Sequence, residues 1–377
     1  MHTTHMRIHH GIFLSPDGFR QGSLRIESGR IAQIEGKLIS EAQARESGQP
    51  ITVPGFIDLH VHGAGGRDIM EGGNACAAIA RCHARFGTTA LLATTMTAPE
   101  ADIRAALTGV APTIIHRAKH AAQVLGVHLE GPYLNPGKLG AQPDFAVPAT
   151  LDAIRELHAI APLRVITLAP EIAGNLELIP QLGTLGLRVQ IGHSLASYED
   201  GCRALECGAH GFTHLFNAMT PLHHRDPGLV GAAMAHARHA EIIPDLLHVH
   251  PGAIRAALRA IPDLYCVTDS TAATGMPDGD YQLGRQTVSK CMGGVRLADG
   301  TLAGSTLTMD QALRNLVSIG LTLHDASRRV STLPADYLGL TEHGRLSVGA
   351  LANFVVLDTQ LAIKQVVIDG EEVGLGG

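Results

Sequence analysis

Two histidines of this chain stand two positions apart in a glycine-rich setting. His60 and His62 belong to the run PGFIDLHVHGAGG, in a chain with 22 histidines. Side chains at positions i and i+2 of an extended strand point to the same side, so one metal ion could accept both imidazoles. A bare His-x-His pair is weak evidence by itself, but the glycines after it allow tight turns beside a ligand. The pair therefore predicts metal ligands at the end of a strand.

A glutamate and two further histidines end other apolar runs. Glu130 closes VLGVHLE, and a carboxylate that ends a buried strand is costly unless a metal or another cation pairs with it. His193 in IGHS and His214 in THLFNAM add imidazole nitrogen, which with one carboxylate makes a catalytic zinc-type set that leaves a position for water. We predict one or two divalent ions, bridged by Glu130 if there are two. Zinc is the first expectation, and iron, cobalt or manganese suit the same ligands.

Asp269 in CVTDS is the predicted proton carrier. A carboxylate beside a metal site can take a proton from water whose pKa the metal lowers to about 7, and can later return it. The alternative is a structural aspartate that caps the next helix through Ser270 or Thr271. The predicted metal ligands also stand late in apolar runs, which favours the catalytic interpretation.

Eight short apolar runs recur between residues 53 and 270, each followed by an alanine-rich stretch with helical spacing. This alternation is typical of β-α units on a parallel sheet, and eight strands are what a closed barrel needs. The sequence predicts an α/β fold, a (β/α)8 TIM barrel, although Pro244 interrupts the seventh run. The runs are GFIDLHV from Gly55, TALLAT from Thr89, VLGVHLE from Val124, RVITLAP from Arg164, RVQIGHS from Arg188, GFTHLFN from Gly211, EIIPDLLHVH from Glu241 and LYCVTDS from Leu264.

The candidate site residues stand late in these runs, at the carboxyl ends of the predicted strands. In a TIM barrel those ends open onto one face, where the βα loops build the active site. Residues tens of positions apart are therefore expected to converge. Each one alone could be a polar residue that solvates a loop, but that alternative does not predict several strands ending in metal-ligand types.

The two ends of the chain have a different pattern, of short alternating strands. MRIHHGIFL and SLRIESGRIAQIEG lie near the start, with a turn at Ser28-Gly29, and GRLSVGALANFVVLD and IKQVVIDGEEV lie near the end. Neither end alone has enough strands for an independent core. We predict one small β-sandwich domain from residues 1–52 and 344–377 beside a barrel of residues 53–343.

Composition excludes several classes of protein. Hydrophobic residues make up 45% of the 377 residues and charged residues 17%, which indicates a globular chain with a large core. The net charge of −6 argues against nucleic-acid binding. The six cysteines form no CxxC pair, and no apolar run has the length of a signal peptide or a membrane span. We expect reduced thiols, a cytoplasmic location and no membrane partner.

Several motifs together resemble one known family. PGFIDLHVHGAGG, HLEGPYLNPGKLGA, IGHS, THLFNAMTPLHHRDPG, HVHP, VTDS and DGTLAGSTLTMDQALRN occur in this order. They are similar to the N-acetylglucosamine-6-phosphate deacetylase family of the amidohydrolase superfamily, nearly end to end. The resemblance implies a barrel with a small β-sandwich from both termini, a homodimer, and hydrolysis of an N-acetyl amino-sugar phosphate to acetate and the free amine.

The resemblance also assigns residues. Glu130, His193 and His214 match the family's main metal site, and His60 and His62 match extra ligands of some members. By the resemblance, Arg225 would reach into the neighbouring subunit, and our own hypothesis for Asp269 is that it acts as base and then as acid. The substrate-binding positions implied are Ala141, Gln142, Asn217, Ala218, Arg225, His248, Leu302, Ala303 and Gly304.

Two positions depart from the family pattern. Gln142 stands where the family usually has histidine, and Leu246 stands where it usually has glycine. Neither position belongs to the predicted metal or proton-transfer residues, but a bulky Leu246 could reshape the sugar or phosphate pocket. These changes leave the identity of the sugar open.

Four alternatives remain at this stage. The substrate could be the galactosamine epimer, or an unphosphorylated sugar, although Arg225 favours a phosphate because a guanidinium can donate two parallel hydrogen bonds to it. Another amide, such as a cyclic imide or an N-acylated amino acid, is less favoured because Glu130 stands where those relatives commonly have a carboxylated lysine. A non-catalytic metal or sugar-phosphate binding protein on the same scaffold is an alternative of another class.

Overall fold

The computed structural model describes residues 6–375, which form an α/β fold. Within this part of the chain, no helix is long and apolar enough to cross a membrane. The strands are β1 (Met6–Ser15), β2 (Gly18–Glu27), β3 (Arg30–Ile39), β4 (Ile51–Pro54), β5 (Phe56–Val61), β6 (Gly63–Ala64), β7 (Arg67–Asp68), β8 (Thr88–Thr94), β9 (Gln123–Glu130), β10 (Leu163–Leu168), β11 (Arg188–Ile191), β12 (Gly211–Phe212), β13 (His239–Ile242), β14 (Asp263–Cys266), β15 (Gly279–Leu283), β16 (Gln286–Cys291), β17 (Gly294–Arg296), β18 (Phe354–Leu357), β19 (Ile363–Ile368) and β20 (Glu371–Val373). The α-helices are α1 (Glu41–Glu46), α2 (Ala75–Arg85), α3 (Glu100–Ile115), α4 (Leu151–Ile160), α5 (Asn175–Thr184), α6 (Tyr198–Glu206), α7 (Gly228–His236), α8 (Pro251–Ala260), α9 (Met309–Ser318), α10 (Leu323–Val330) and α11 (Thr332–Tyr337).

A curved parallel sheet forms the centre of the molecule. Six strands pair in the order β5-β8-β9-β10-β11-β12, and β13 pairs in parallel with β14. All residues of β5 and β8 are buried, as expected for parallel strands with both faces covered. Each of the eight predicted runs overlaps one of these strands, and helices follow most of them.

Backbone contacts also connect the six-stranded part with β13 and β14. The Leu215 N–H donates to the carbonyl oxygen of Glu241 at 2.9 Å, which joins the chain after β12 to β13. Val61 of β5 and Ser270, which follows β14, form a parallel bridge. These contacts bring the carboxyl ends of the first and last strands side by side.

The seventh strand differs from its predicted bounds. It begins at His239, before Glu241, and it ends at Ile242, before Pro244. Proline lacks the N–H that a central strand must donate, so the ladder stops there. His248 therefore lies in a loop.

The two ends of the chain meet in one sheet, the terminal sheet, as the sequence predicts. Its strand order is β20-β19-β18-β4-β1-β2-β3. The predicted turn at Ser28-Gly29 connects β2 to β3, and both residues have positive φ. A separate apolar cluster, which includes Phe13, Leu24 and Phe354, packs on this sheet.

A three-stranded antiparallel sheet, β15 to β17, was not predicted. It follows Asp269 in the chain and has its own small apolar cluster, which includes Met96, Leu283 and Val288. Met96 is the second residue after the end of β8. Its contacts in this cluster join the added sheet to the carboxyl end of the parallel sheet. We call β15 to β17 the cap sheet.

The apolar cluster of the terminal sheet supports a stability prediction. Phe13→Ala should destabilise the protein by roughly 3–5 kcal/mol, because Phe13 is fully buried and a cavity would remain. Ile8→Ala on the same strand should change stability by less than about 0.5 kcal/mol, because Ile8 is 51% exposed. Denaturant unfolding of both variants measures the difference, and equal effects would contradict this packing.

Candidate metal centre and active site

The six predicted catalytic and metal-ligand residues converge at the carboxyl end of the parallel sheet. His60 lies in β5 and Glu130 ends β9, whereas the other residues lie in the turns that follow a strand. His193, His214 and Asp269 have φ values of 47°, 28° and 50°. Non-glycine residues seldom adopt this left-handed region, and such strain concentrates at functional sites. The turns aim these side chains into the site.

Glu130 lies at the centre of the cluster. Its Oε1 is 3.1 Å from His193 Nε2 and 3.1 Å from His214 Nε2. Its Oε2 is 3.2 Å from His62 Nε2 and 3.4 Å from His60 Nε2. One carboxylate therefore faces two pairs of imidazoles, one pair on each oxygen.

Asp269 joins the pair of histidines on β5 and its extension. Asp269 Oδ1 is 3.2 Å from His62 Nε2 and 3.5 Å from His60 Nε2. Ligand-type atoms of His60, His62 and Asp269 thus form one compact group, and those of Glu130, His193 and His214 form another. The structure brings together every residue that the sequence predicted for metal binding or proton transfer.

Hydrogen bonds fix the orientation of two of these rings. His60 Nδ1 is 3.1 Å from Glu241 Oε2, and His193 Nδ1 is 2.8 Å from the carbonyl oxygen of Lys138. Such partners on the far nitrogen are typical of histidines that bind metal through the other nitrogen. Both rings consequently present Nε2 to the site.

A buried aspartate holds the first and last parallel strands together beneath the site. Asp58 accepts hydrogen bonds from Thr268 Oγ1 at 2.6 Å, from the Thr268 N–H and from the His60 N–H. Burial raises the pKa of Asp58 to about 7, although these donors oppose the shift. This network sets the spacing between His60 and the turn that carries Asp269.

The charges of the cluster balance only with protons or with metal. Burial lowers the pKa of His62, but hydrogen bonds to Asp269 and Glu130 raise it to about 9. Burial raises the pKa of Asp269, yet His60 and His62 bring it down to about 2. The carboxylates therefore draw protons onto His60 and His62, where a cation could bind. Metal binding would release those protons, because histidine ligates in its neutral form.

The donor set fits divalent metal. His193 Nε2 and His214 Nε2 lie 3.0 Å apart, and His60 Nε2 and His62 Nε2 lie 3.2 Å apart. Two imidazole nitrogens this close either share a proton or direct their lone pairs at one cation. Imidazole with carboxylate suits zinc, iron, cobalt and manganese.

A cavity of about 340 Å³ opens above the cluster. Predicted substrate-binding residues that line it are Ala141, Gln142, Asn217, Ala218, His248, Leu302 and Gly304. Gly304 has φ +61°, and a Cβ there would lie 2.9 Å from the Asp269 carbonyl oxygen, so glycine lets the chain lie against the catalytic turn.

Two predicted substrate-binding residues do not line this cavity within the described chain. Ala303 is fully buried and belongs to the cluster under the cap sheet. Arg225 is exposed, and its Nη1 lies 2.8 Å from His224 Nε2 of the same loop.

The two departures from the family pattern have different surroundings. Leu246 has φ +67°, the backbone region that glycine adopts readily, and its side chain packs against the main apolar core instead of lining the cavity. Gln142 is buried, and its side chain bonds Glu130 and the backbone of Thr97. Leu246 therefore does not narrow the cavity, and Gln142 contacts Glu130, a predicted metal ligand.

Sequence reasoning missed two residues of the site. Glu241 is fully buried, and its Oε2 contacts Nδ1 of His60. A buried carboxylate needs a partner, so the reasoning applied to Glu130 would also have identified Glu241 in the apolar run EIIPD. Lys138 lines the cavity, and its Nζ donates to the Met219 carbonyl oxygen at 3.2 Å. The sequence feature that could have identified Lys138 is its position inside the glycine-rich NPGKLGA motif.

Known proteins match this chain over most of its length. A sequence model of the amidohydrolase family matches residues 51–373. The N-acetylgalactosamine-6-phosphate deacetylase of Escherichia coli O157:H7 is 40% identical over 92% of this chain and 93% of its own. The N-acetylglucosamine-6-phosphate deacetylase of Lysinibacillus sphaericus is 37% identical over 92% and 91%. The chain belongs to the N-acetylglucosamine-6-phosphate deacetylase family of amidohydrolases.

Membership of this family makes the chain a hydrolase of carbon–nitrogen bonds, as the sequence predicts. The crystal structure of the Thermotoga maritima N-acetylglucosamine-6-phosphate deacetylase superposes with a TM-score of 0.89 at 30% identity, covering 98% of this chain and 99% of that one. A mutant of the Mycobacterium smegmatis enzyme in complex with N-acetyl-D-glucosamine-6-phosphate has a TM-score of 0.89 at 32% identity, with the same coverage. The curved parallel sheet matches the TIM-barrel-like amidohydrolase fold.

Removal of bound metal from the cluster should change the thermal stability of the protein. Chelation should lower the melting temperature, because an ion bound only by the folded state stabilises it, and added Zn²⁺ should restore it. His214→Asn should bind less metal and lose part of this response, since His214 Nε2 faces Glu130. His116→Asn, at an exposed position, serves as the control. Thermal melts with metal analysis test this, and a His214→Asn protein with wild-type metal content would contradict it.

Proposed function

We propose that this chain hydrolyses the N-acetyl group of an amino-sugar phosphate, with N-acetylglucosamine 6-phosphate as the first candidate, and releases acetate. The observation that carries the proposal is one cavity whose floor combines Glu130, three of the metal-type histidines and Asp269. Relatives that match 92% of the chain are named for this reaction on two sugar epimers. An amide is stable in water, so its cleavage needs an activated nucleophile and a proton donor for the amine, and this floor has groups for both.

We infer that Glu130, His193 and His214 hold the main metal ion, and that His60 and His62 hold a second one beside Asp269. The two groups of ligand atoms around the Glu130 carboxylate support two ions. Zinc is the proposed metal, because imidazole and carboxylate are its usual ligands at catalytic sites. A bound divalent ion lowers the pKa of water and polarises the amide carbonyl.

Asp269 is the proposed proton carrier. Its Oδ1 faces His62 at 3.2 Å, and its side chain is 11% exposed and borders the cavity. A carboxylate there can accept a proton from the attacking water at Oδ1 and return it to the nitrogen of the leaving amine. One residue thus serves first as base and then as acid.

Replacement of this carboxylate tests the assignment. Asp269→Asn should lower kcat by roughly 10²–10⁴-fold, because an amide cannot accept the proton. Its metal at Glu130, His193 and His214 should remain. Asp152→Asn, whose side chain is 90% exposed, is the matched control. Acetate release and bound metal are measured on each protein, and full activity in Asp269→Asn would rule out this role.

A phosphate on the substrate requires cations at the cavity. Lys138 is the only lysine or arginine that lines it among residues 6–375. Its Nζ lies beside the loop that carries Asn217 and Ala218, since it donates to the carbonyl oxygen of Met219. We propose that Lys138 contributes to phosphate binding, and that Arg225 reaches the cavity of the partner protomer in a homodimer. The exposed position of Arg225, outside its own cavity, supports the second part.

Removal of these cations should affect only the phosphorylated substrate. Lys138→Met and Arg225→Met should each raise KM for N-acetylglucosamine 6-phosphate, by about tenfold for a lost charged hydrogen bond, and change turnover of N-acetylglucosamine little. Lys364→Met in the exposed part of β19 is the control. Steady-state kinetics on both sugars test this, and equal losses on both would show that these residues do not recognise phosphate.

The sugar epimer separates the two closest candidate functions. The Escherichia coli relative is named for the galactosamine epimer and has the higher identity, 40% against 37%. Acetate release from N-acetylglucosamine and N-acetylgalactosamine, each with and without the 6-phosphate, compares the four substrates directly. A metal-loaded protein that binds these sugars and releases no acetate would instead support a non-catalytic binding protein.

A second proposal concerns the closure of the barrel and the terminal domain. We infer that the eight parallel strands close into a complete (β/α)8 barrel over residues 53–343. We also infer that residues 1–52 and 344–377, of which 1–5 and 376–377 lie outside the described residues, form a separate β-sandwich domain. The Val61–Ser270 bridge and the Leu215–Glu241 hydrogen bond support closure. The separate apolar cluster of the terminal sheet supports the second domain.

Cytoplasmic location remains part of the proposal, and the free cysteines are consistent with a reducing compartment.

A further inference from the structure

The carboxamide of Gln142 connects a metal-ligand residue to the backbone. Gln142 Nε2 donates to Glu130 Oε2 at 2.7 Å, and Gln142 Oε1 accepts from the Thr97 N–H at 2.6 Å. A carboxylate can only accept and a backbone N–H can only donate, so the two partners determine which end of the amide faces each of them. Gln142 is 5% exposed. Its side chain is therefore held at both ends in a single orientation.

The hydrogen bond from Gln142 reaches only one of the two carboxylate oxygens. Glu130 Oε2, which accepts it, is the oxygen that faces His62 and His60. Glu130 Oε1 faces His193 and His214 instead. Rotation of the carboxylate about its last bond would take Oε2 away from His60 and His62. The donor on Oε2 opposes this rotation.

We propose that Gln142 is a positioning residue that fixes the Glu130 carboxylate so that one oxygen serves each of two metal sites. This role goes beyond the proposed deacetylation, because it concerns the binding of the second ion at His60 and His62, beside Asp269. It rests on the metal sites of the proposed function and not on the identity of the sugar.

The residue type suits this role. A glutamine side chain is long enough to span from the Thr97 N–H to Glu130, and it is uncharged over the whole working range of pH. A protonated imidazole at the same position would place positive charge beside the ion site and would face the Thr97 N–H with a second donor. Leucine has nearly the shape of glutamine without its polar atoms, and asparagine has the amide on a shorter stem.

Metal titration tests the proposal without substrate. Full-length wild-type, Q142L and Q142N proteins are stripped with chelator, checked by thermal melting and titrated with Co²⁺. Bound metal per chain is then measured by mass spectrometry after gel filtration. We expect two ions per wild-type chain, and at least tenfold weaker binding of one ion in Q142L and Q142N. A variant without both His60 and His62 marks the one-ion level.

A matched control replaces another glutamine of the same region. Gln286 Nε2 donates to the Ala141 carbonyl oxygen at 2.7 Å and does not touch Glu130, so Q286L should bind both ions as the wild type does. Binding of both ions at wild-type affinity by Q142L and Q142N would overturn the proposal. So would an equal loss of both ions, or a wild-type chain that binds only one ion.

The acetate assay separates this proposal from the proposed function. A wild-type chain that binds two ions but releases no acetate from any of the four sugars would contradict only the deacetylase assignment. An active wild-type enzyme whose Q142L variant keeps both ions would contradict only the role of Gln142.

Discussion

The site depends on the contacts between the buried Glu130 carboxylate and the histidines around it. Glu130 lies 1% exposed among four imidazoles, two on each oxygen. An uncompensated charge in such a place would cost several kcal/mol, so the surrounding groups must supply opposite charge. Protonated histidines can do so, and a divalent ion can do so without protons. The four imidazoles and the Gln142 amide all face this one anion.

Residues outside the proposed ligand set position these groups. Asp58 ties β5 to the turn of Asp269, Glu241 orients His60, and Gln142 holds Glu130. The left-handed turns after β11, β12 and β14 then direct the remaining side chains inward. Backbone strain of this kind persists where the surrounding structure is well packed. The fully buried strand β5 lies beside one of these turns, since Val61 pairs with Ser270, next to Asp269.

Chemistry and specificity have different structural sources. The metal-type residues come from strand ends, which the parallel sheet holds rigidly. The cavity walls come from loops and from the cap sheet, which contributes Leu283 and leads to Leu302 and Gly304. Such segments can vary without disturbing the strand ends. Relatives of this chain are named for the same reaction on two sugar epimers.

The sequence by itself determined the parallel strands, the meeting of the two chain ends in one sheet and the set of metal-type residues. Each of these depends on local patterns, such as apolar runs and ligand types at strand ends, and the structure brings the set together. Only the tertiary structure decided that Gln142 bonds Glu130, that Leu246 lies outside the cavity, and that Glu241 supports His60. It also revealed the cap sheet. Those outcomes depend on which atoms meet across tens to hundreds of residues, and no local pattern specifies such contacts.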